Sequence, residues 1–154
     1  MAKVHVLHGP NLDLLGEREP ETYGHQSLDS IDQELVALGR NLGLVVETLQ
    51  SNHEGQLVDA VHEAARSADA LLINAAGYTH TSVAIRDAVA AARARIAVLE
   101  VHLSIPEARE VFRQVSLLAG VVDGRIEGLG SLSYGLALRA ASELLRARGV
   151  LRDQ

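Results

Sequence analysis

Residues 70–74 read ALLIN, an apolar run that ends in an asparagine. Four consecutive apolar side chains without polar alternation indicate a strand buried on both faces, which is typical of a parallel sheet covered by helices. The run is too short for a buried helix, where ten residues or more are usual. It therefore predicts a central strand, and the segments on either side decide what surrounds it.

Short apolar runs and amphipathic stretches alternate on both sides of this strand. The patterns predict further strands at 3–8, 44–50, 96–102 and, more weakly, 121–127, and helices at 28–42, 54–67, 81–94 and 133–147. Ser27 is the expected N-cap of the first helix and Gly43 its stop. The alternation implies a doubly wound α/β fold of flavodoxin type, with a five-stranded parallel sheet and helices on both faces. A chain of 154 residues fits one such domain, spanning 1–154.

Composition excludes several classes of function. The chain has no cysteine, so neither a disulfide framework nor a thiolate zinc site or nucleophile is available. A net charge of −6 and three tyrosines without tryptophan argue against nucleic-acid binding. No apolar run approaches the roughly 20 residues that span a bilayer, and no targeting signal is visible, so we expect a cytoplasmic protein without membrane contact. The one lysine, Lys3, is poorly placed for a Schiff base.

Polar side chains follow the carboxyl ends of the predicted strands, where folds of this type bind ligands. They are Asn11, Asn74, His80, His102 and Ser104. Each has an ordinary structural explanation: an amide that closes a loop, part of a helix N-cap, or a buried histidine at a strand end. Together, five polar groups on one edge favour a binding or catalytic site.

A long segment after the first strand adjoins this edge. Residues 9–26 carry glycines, two prolines, Arg18 and Tyr23, and a loop of that length inside a compact domain is usually functional. We expect an active-site lid at about 16–26, although Tyr23 could instead be a packing tyrosine.

Five segments in one order resemble the type II 3-dehydroquinate dehydratases (type II dehydroquinases). They are GPNLDLLGEREPETYG (9–24), QSNHEGQLVDAVHEA (50–64), INAAGYTHTSVAIRDA (73–88), EVHLSIPEAREVFR (100–113) and GLGSLSYGLAL (128–138). The resemblance covers about 3–145. It implies dehydration of 3-dehydroquinate to 3-dehydroshikimate through an enolate, without cofactor or metal, in a homo-oligomer built as a dodecamer of four trimers.

The resemblance also implies a role for each matching residue in the chemical step. Tyr23 would be the base, with Arg18 beside it on the lid, and Asn11 would hold a water against the enolate. His102 would be the general acid, supported by Glu100.

Further matching residues would bind the substrate. Asn74 and the backbone at Leu103 and Ser104 would hold its carboxylate. Those expected to contact the ring or to support the base are His80, Arg113, Asp87 from an adjacent subunit, and Arg109 as a second arginine near the base.

The sequence departs from the family pattern at four positions. Asparagine is usual where His8 stands, and asparagine and histidine at Ile105 and Glu107, while Ser133 replaces a usual glycine. Because the matching catalytic residues are present, these departures are expected to tune activity rather than abolish it.

Other functions stay open at this point. A flavin-binding or receiver domain could use the same fold, but aromatic residues are few and the chain lacks a late lysine. A non-catalytic relative is a further alternative. If the chain is a dehydratase, it could serve the shikimate pathway or the breakdown of quinate, because both use the same reaction.

Overall fold

The computed structural model describes residues 1–17, 19–23 and 25–152. The strands are β1 (Ala2–His8), β2 (Leu44–Gln50), β3 (Ala70–Asn74), β4 (Ala97–His102) and β5 (Gly124–Glu127). The helices are α1 (Pro20–Tyr23), α2 (Leu28–Asn41), α3 (Glu54–Ser67), α4 (Val83–Arg93) and α5 (Leu132–Ala147). Short 3₁₀ turns lie at Leu12–Leu14, Ala76–His80, Pro106–Ala108, Val111–Arg113 and Ala119–Val121.

The five strands form one parallel sheet in the order β2-β1-β3-β4-β5. The chain moves outward from β1 to β2 and then returns to the other side of β1, so the order reverses between β1 and β3. In this architecture ligands bind beside such a reversal, at the carboxyl ends of the strands. The register places His8 opposite Asn74 at that end. The predicted flavodoxin-like fold is confirmed.

Helices cover both faces of the sheet because the side chains of the central strands alternate between two cores. On β3, Leu72 packs with α2 and α5, whereas Leu71 and Ile73 pack with α3 and α4. All three are fully buried, as the unbroken apolar run at 70–74 predicts.

The largest differences from the sequence expectation are at the starts of two elements, since the other ends agree to within one residue. Helix α4 begins at Val83 rather than 81, because the Ser82 hydroxyl caps it by accepting a hydrogen bond from the Ile85 N–H at 3.0 Å. Strand β5 begins at Gly124 rather than 121, because residues Ala119–Val121 form a 3₁₀ turn. The expected cap at Ser27 is confirmed, and Gly43 takes a φ of 75° just after α2.

In the described ranges, no helix combines the length and apolarity needed to cross a bilayer.

Candidate active site

A cleft opens at the carboxyl ends of β1, β3 and β4. Most of the residues that the sequence placed at this edge line it: Asn11, Asn74, His80, His102, Leu103, Ser104, Arg109 and Arg113. They come from three strand ends and from the 3₁₀ turns that follow β3 and β4. The parallel sheet therefore brings together side chains that are up to about a hundred positions apart in the chain.

The turn after β1 holds two of these strand ends together. The Gly9 N–H donates to the Asn74 carbonyl at 2.7 Å. A Cβ on Gly9 would lie 2.5 Å from the Ala75 carbonyl oxygen, so only glycine allows this approach. Asn11 follows with a φ of 67°, a left-handed conformation that asparagine tolerates. Asn11 and Asn74 thereby both line the cleft.

His102 and Glu100 form a buried pair at the end of β4. They lie two residues apart on one strand, so their side chains share a face of the sheet. His102 Nε2 lies 2.5 Å from Glu100 Oε2, and Glu100 is inaccessible to solvent. This contact orients the imidazole and leaves Nδ1 as the nitrogen that can serve a ligand in the cleft.

Glu100 has further partners that hold its carboxyl group in place. The Ser116 hydroxyl lies 3.0 and 2.8 Å from its two oxygens, and Arg125 Nε lies 3.5 Å from Oε2. Arg125 belongs to β5 and also pairs with Glu107 at 2.7 Å and Glu127 at 2.8 Å. The Arg125 guanidinium therefore contacts three carboxylates, those of Glu100, Glu107 and Glu127.

The pKa values of Glu107 and Glu127, the two other carboxylates beside Arg125, shift in opposite directions. Burial raises the pKa of Glu107, but hydrogen bonding by its own backbone N–H and by Arg125 outweighs burial, so the net pKa lies below the usual value. Burial raises the pKa of Glu127, and Arg125 does not fully offset that effect because Glu107 and Glu100 add negative potential.

Two arginines give the cleft a positive wall, and a histidine lies in the same lining. Arg113 Nε donates to Glu110 at 2.6 Å, and Arg109 lies 3.8 Å from Glu19 on the segment that precedes α1. The His80 Nδ1–H donates to the Val115 carbonyl at 2.8 Å, which leaves Nε2 for a ligand. A cleft with these groups suits an anionic, hydroxylated molecule.

Asn74 has a defined amide orientation. Its Nδ2 donates to the Tyr134 hydroxyl at 3.1 Å, and its Oδ1 accepts from the Ala76 N–H at 3.1 Å. The amide does close a loop, as the ordinary explanation supposed, but the same side chain also lines the cleft.

The structure does not place three of the expected residues in this cleft. Arg18 lies outside the described residues, and Tyr23 is the last residue of α1. Asp87 is exposed on α4 and pairs with Arg86 at 2.9 Å. Asp87 is not among the described residues that line the cleft of a single chain.

The family departures occupy definite places around the cleft. His8 is fully buried and contacts Tyr134 and Asp32. Ile105 packs over Gly128, while the Ser133 hydroxyl accepts from the Leu129 N–H at 3.1 Å.

Sequence reasoning missed Tyr134, Asp32, Ser116 and Arg125 as supports of the site. The opposite charges of Arg125 and Glu127, two residues apart on a short strand, were the one local signal that could have drawn attention to β5.

The far end of the sheet carries the lysine. Lys3 lies near the start of β1, and its Nζ is 2.9 Å from Glu47 Oε1. In the described part of the chain, no three His, Asp or Glu side chains converge as a metal site would require.

The fold and the cleft define a flavodoxin-like α/β protein with a buried His–Glu pair beside a positive, hydrogen-bonding pocket. The model of the family Dehydroquinase class II matches residues 2–142, and the chain belongs to that family.

Individual relatives agree with this assignment. The chain is 54% identical to a 3-dehydroquinate dehydratase of Acaryochloris marina over 135 residues, covering 88% of this chain and 89% of the relative. It is 48% identical to a 3-dehydroquinate dehydratase of Ruegeria pomeroyi over 149 residues, covering 97% and 99%. The crystal structure of a type II dehydroquinase from Propionibacterium acnes matches with a TM-score of 0.89 and 38% identity, covering 93% of this chain and 97% of that one.

Proposed function

We propose that the protein is a 3-dehydroquinate dehydratase, which removes water from 3-dehydroquinate through an enolate intermediate. The observation that carries the proposal is the His102–Glu100 pair at 2.5 Å in a cleft shared with Asn74 and two arginines. Membership of the class II family and the names of the relatives support the same reaction.

The reaction needs a base, a stabiliser of the enolate oxygen and an acid for the departing oxygen. A base removes a proton from the carbon next to the ketone, and the electron pair passes to the carbonyl oxygen as an enolate. The enolate then reforms the carbonyl and expels the hydroxyl on the carbon beyond as water. In this scheme the proton for that hydroxyl comes from His102, whose other nitrogen is held by Glu100.

The base in this scheme is Tyr23, assisted by Arg18. A free tyrosine has a pKa of about 10, so its anion is scarce at neutral pH. A cation within about 4–6 Å lowers such a pKa by about 1–3. The resemblance to the family supports both assignments, and the lid at about 16–26 would carry them over the cleft.

The remaining assignments concern binding. Asn11 holds a water near the enolate oxygen, Asn74 and the backbone at Leu103 and Ser104 bind the carboxylate, and His80 and Arg113 contact ring hydroxyls, with Arg109 near the base. All of these residues line the cleft, which supports their grouping.

We also propose that the chain works as a homo-oligomer, a dodecamer of four trimers in which Asp87 completes a neighbouring cleft. The exposed position of Asp87 on α4, and the exposed Val111, Phe112 and Val115 near the cleft, support contact with another copy. Light scattering together with activity tests this: a fully active monomer would contradict it.

The reaction itself is tested by ultraviolet detection of the conjugated enone product after 3-dehydroquinate is added to the purified protein. Growth in absorbance that disappears in His102→Ala is expected. A wild-type protein that binds 3-dehydroquinate without turnover would instead be a non-catalytic relative. A role in the shikimate pathway, in the cytoplasm, is the pathway assignment that we favour over quinate breakdown.

A further inference from the structure

A line of buried hydrogen bonds leads from Asn74 away from the cleft and through the core. The Tyr134 hydroxyl, which accepts from Asn74 Nδ2, lies 2.8 Å from His8 Nδ1. His8 Nε2 lies 2.8 Å from Asp32 Oδ1, and the Thr48 hydroxyl donates to Asp32 Oδ2 at 3.0 Å. His8 and Tyr134 are fully buried. The line thus joins β1, β2, β3, α2 and α5.

The chemistry of the donors and acceptors fixes which group donates in each of these hydrogen bonds. The Asn74 NH₂ group can only donate, so the Tyr134 oxygen accepts from it. The Asp32 carboxylate accepts two hydrogen bonds, so His8 carries its proton on Nε2. In the neutral imidazole, Nδ1 then presents a lone pair, and the Tyr134 hydrogen has an acceptor. Burial raises the pKa of Tyr134 above that of a free tyrosine, which keeps this hydrogen on the hydroxyl.

This direction determines which way the Asn74 amide faces. Oδ1 is engaged by the Ala76 N–H and one Nδ2 hydrogen by Tyr134. The second Nδ2 hydrogen is the one that remains for the cleft. A flipped amide would set two donors, Nδ2–H and the Ala76 N–H, against each other and would leave Oδ1 facing any anion in the cleft.

We propose that His8 is a positioning residue: by accepting the Tyr134 proton at Nδ1, it locks the Asn74 amide so that an N–H points at the anionic group of the substrate. The inference rests on the proposed function only for the identity of that substrate. His8 never touches the ligand and acts through two intervening side chains.

Three variants separate this role from packing. Asparagine at position 8 can place Oδ1 near the position of Nδ1 and keep an acceptor for Tyr134, whereas leucine offers none. Tyr134→Phe keeps the ring and removes the hydroxyl. His8→Leu and Tyr134→Phe are expected to raise the KM for 3-dehydroquinate at least tenfold and to change kcat less than threefold, because binding of the carboxylate persists through the reaction. His8→Asn is expected to stay within threefold of the wild-type KM.

A matched control is available on the same strand. His5 also contacts a carboxylate, Glu47, at 3.0 Å, but it lies away from the cleft. His5→Gln is expected to leave KM and kcat unchanged. The inference is overturned if His8→Leu keeps the wild-type KM, or if His8→Asn raises KM as much as His8→Leu does.

A second measurement needs neither activity nor folded variants. The ¹⁵N shifts of the His8 imidazole in the wild-type protein at pH 7 are expected to show the proton on Nε2 and none on Nδ1. A proton on Nδ1 would overturn the inference. If the wild type shows the Nε2–H form but does not turn over 3-dehydroquinate, the proposed function fails while the locked amide stands.

Discussion

Glu100 Oε2 lies 2.5 Å from His102 Nε2, and Ser116 and Arg125 contact the same carboxyl group. The histidine is therefore held by a carboxyl group that solvent cannot reach. A buried polar group needs hydrogen-bond partners, and Glu100 has several. This relationship makes the pair the centre of the acid chemistry proposed for the cleft.

Glu100→Gln is expected to lower kcat about 100-fold or more and to leave KM within threefold. The amide keeps the shape of the side chain but removes the carboxylate that orients His102, and general acid catalysis is worth about 10²–10⁴ in rate. Steady-state kinetics followed at the enone absorbance measure both constants. Glu143→Gln, which alters an exposed pair with Arg146 on α5, is the control. Equal kinetics for the wild type and Glu100→Gln would refute the assignment.

Tyr23→Phe is expected to lower turnover by orders of magnitude while 3-dehydroquinate still binds. The change removes the proposed base and keeps an aromatic ring of nearly the same size. Tyr78→Phe is the matched control, because its hydroxyl donates to the Asn52 carbonyl rather than into the proposed reaction path. Near-normal turnover by Tyr23→Phe would show that another group is the base.

In Arg18→Ala, the pH at which activity begins to rise is expected to be higher than in the wild type. Loss of the cation raises the pKa of the tyrosine base, so a larger pH is needed to form its anion. A rate profile that matches the wild type across pH 5–10 would remove Arg18 from this role.

Borohydride added together with 3-dehydroquinate is expected to leave the protein unmodified. Dehydration through an imine requires a lysine at the reacting carbon, and Lys3 pairs with Glu47 at the end of the sheet remote from the cleft. Intact mass spectrometry detects any reduced adduct. An adduct on Lys3 would overturn the enolate mechanism.

Asp123 is expected to stabilise the fold above about pH 4. Burial raises its pKa, but hydrogen bonding by the Val98 N–H and by Arg93, together with Arg148, outweighs burial and lowers the net pKa. A carboxyl whose folded pKa is lowered contributes stability above its unfolded pKa of about 3.9, and that contribution is lost as the pH falls through the folded pKa.

Two variants measure this effect by urea unfolding. Asp123→Asn keeps an acceptor for the Val98 N–H but loses the charge, so a cost of about 1 kcal/mol is expected at pH 7, because both arginines are partly exposed. Asp123→Ala also loses that hydrogen bond and should cost about 1.5 kcal/mol more. The penalty of Asp123→Asn should shrink at pH 3. An equal penalty at both pH values would contradict the electrostatic explanation.

The strands of the sheet could be predicted from the sequence because each depends on a short local pattern of residues. The apolar run at 70–74 is buried on both faces, and Ser27 caps α2 where expected. The position of the site could be predicted because the carboxyl ends of parallel strands meet at one edge of the sheet. This property places Asn11, Asn74 and His102 near one another without any knowledge of individual contacts.

The supports of the site were not visible in the sequence because they depend on distant contacts. The spacing of α5 marks Tyr134 as a core residue, but it does not reveal that its hydroxyl meets Asn74, 60 positions away. His8 was noticed as a departure from the family, and its contacts with Tyr134 and Asp32 emerge only when α2 and α5 pack on one face of the sheet.

The position of Lys3 has a practical consequence. Because the chain carries one lysine side chain, near the amino end of β1, lysine-directed coupling attaches each copy of the chain at the end of the sheet remote from the cleft. About six residues of strand, roughly 17–20 Å, separate that point from the level of the cleft. A label or tether attached there leaves the cleft of the same chain unobstructed.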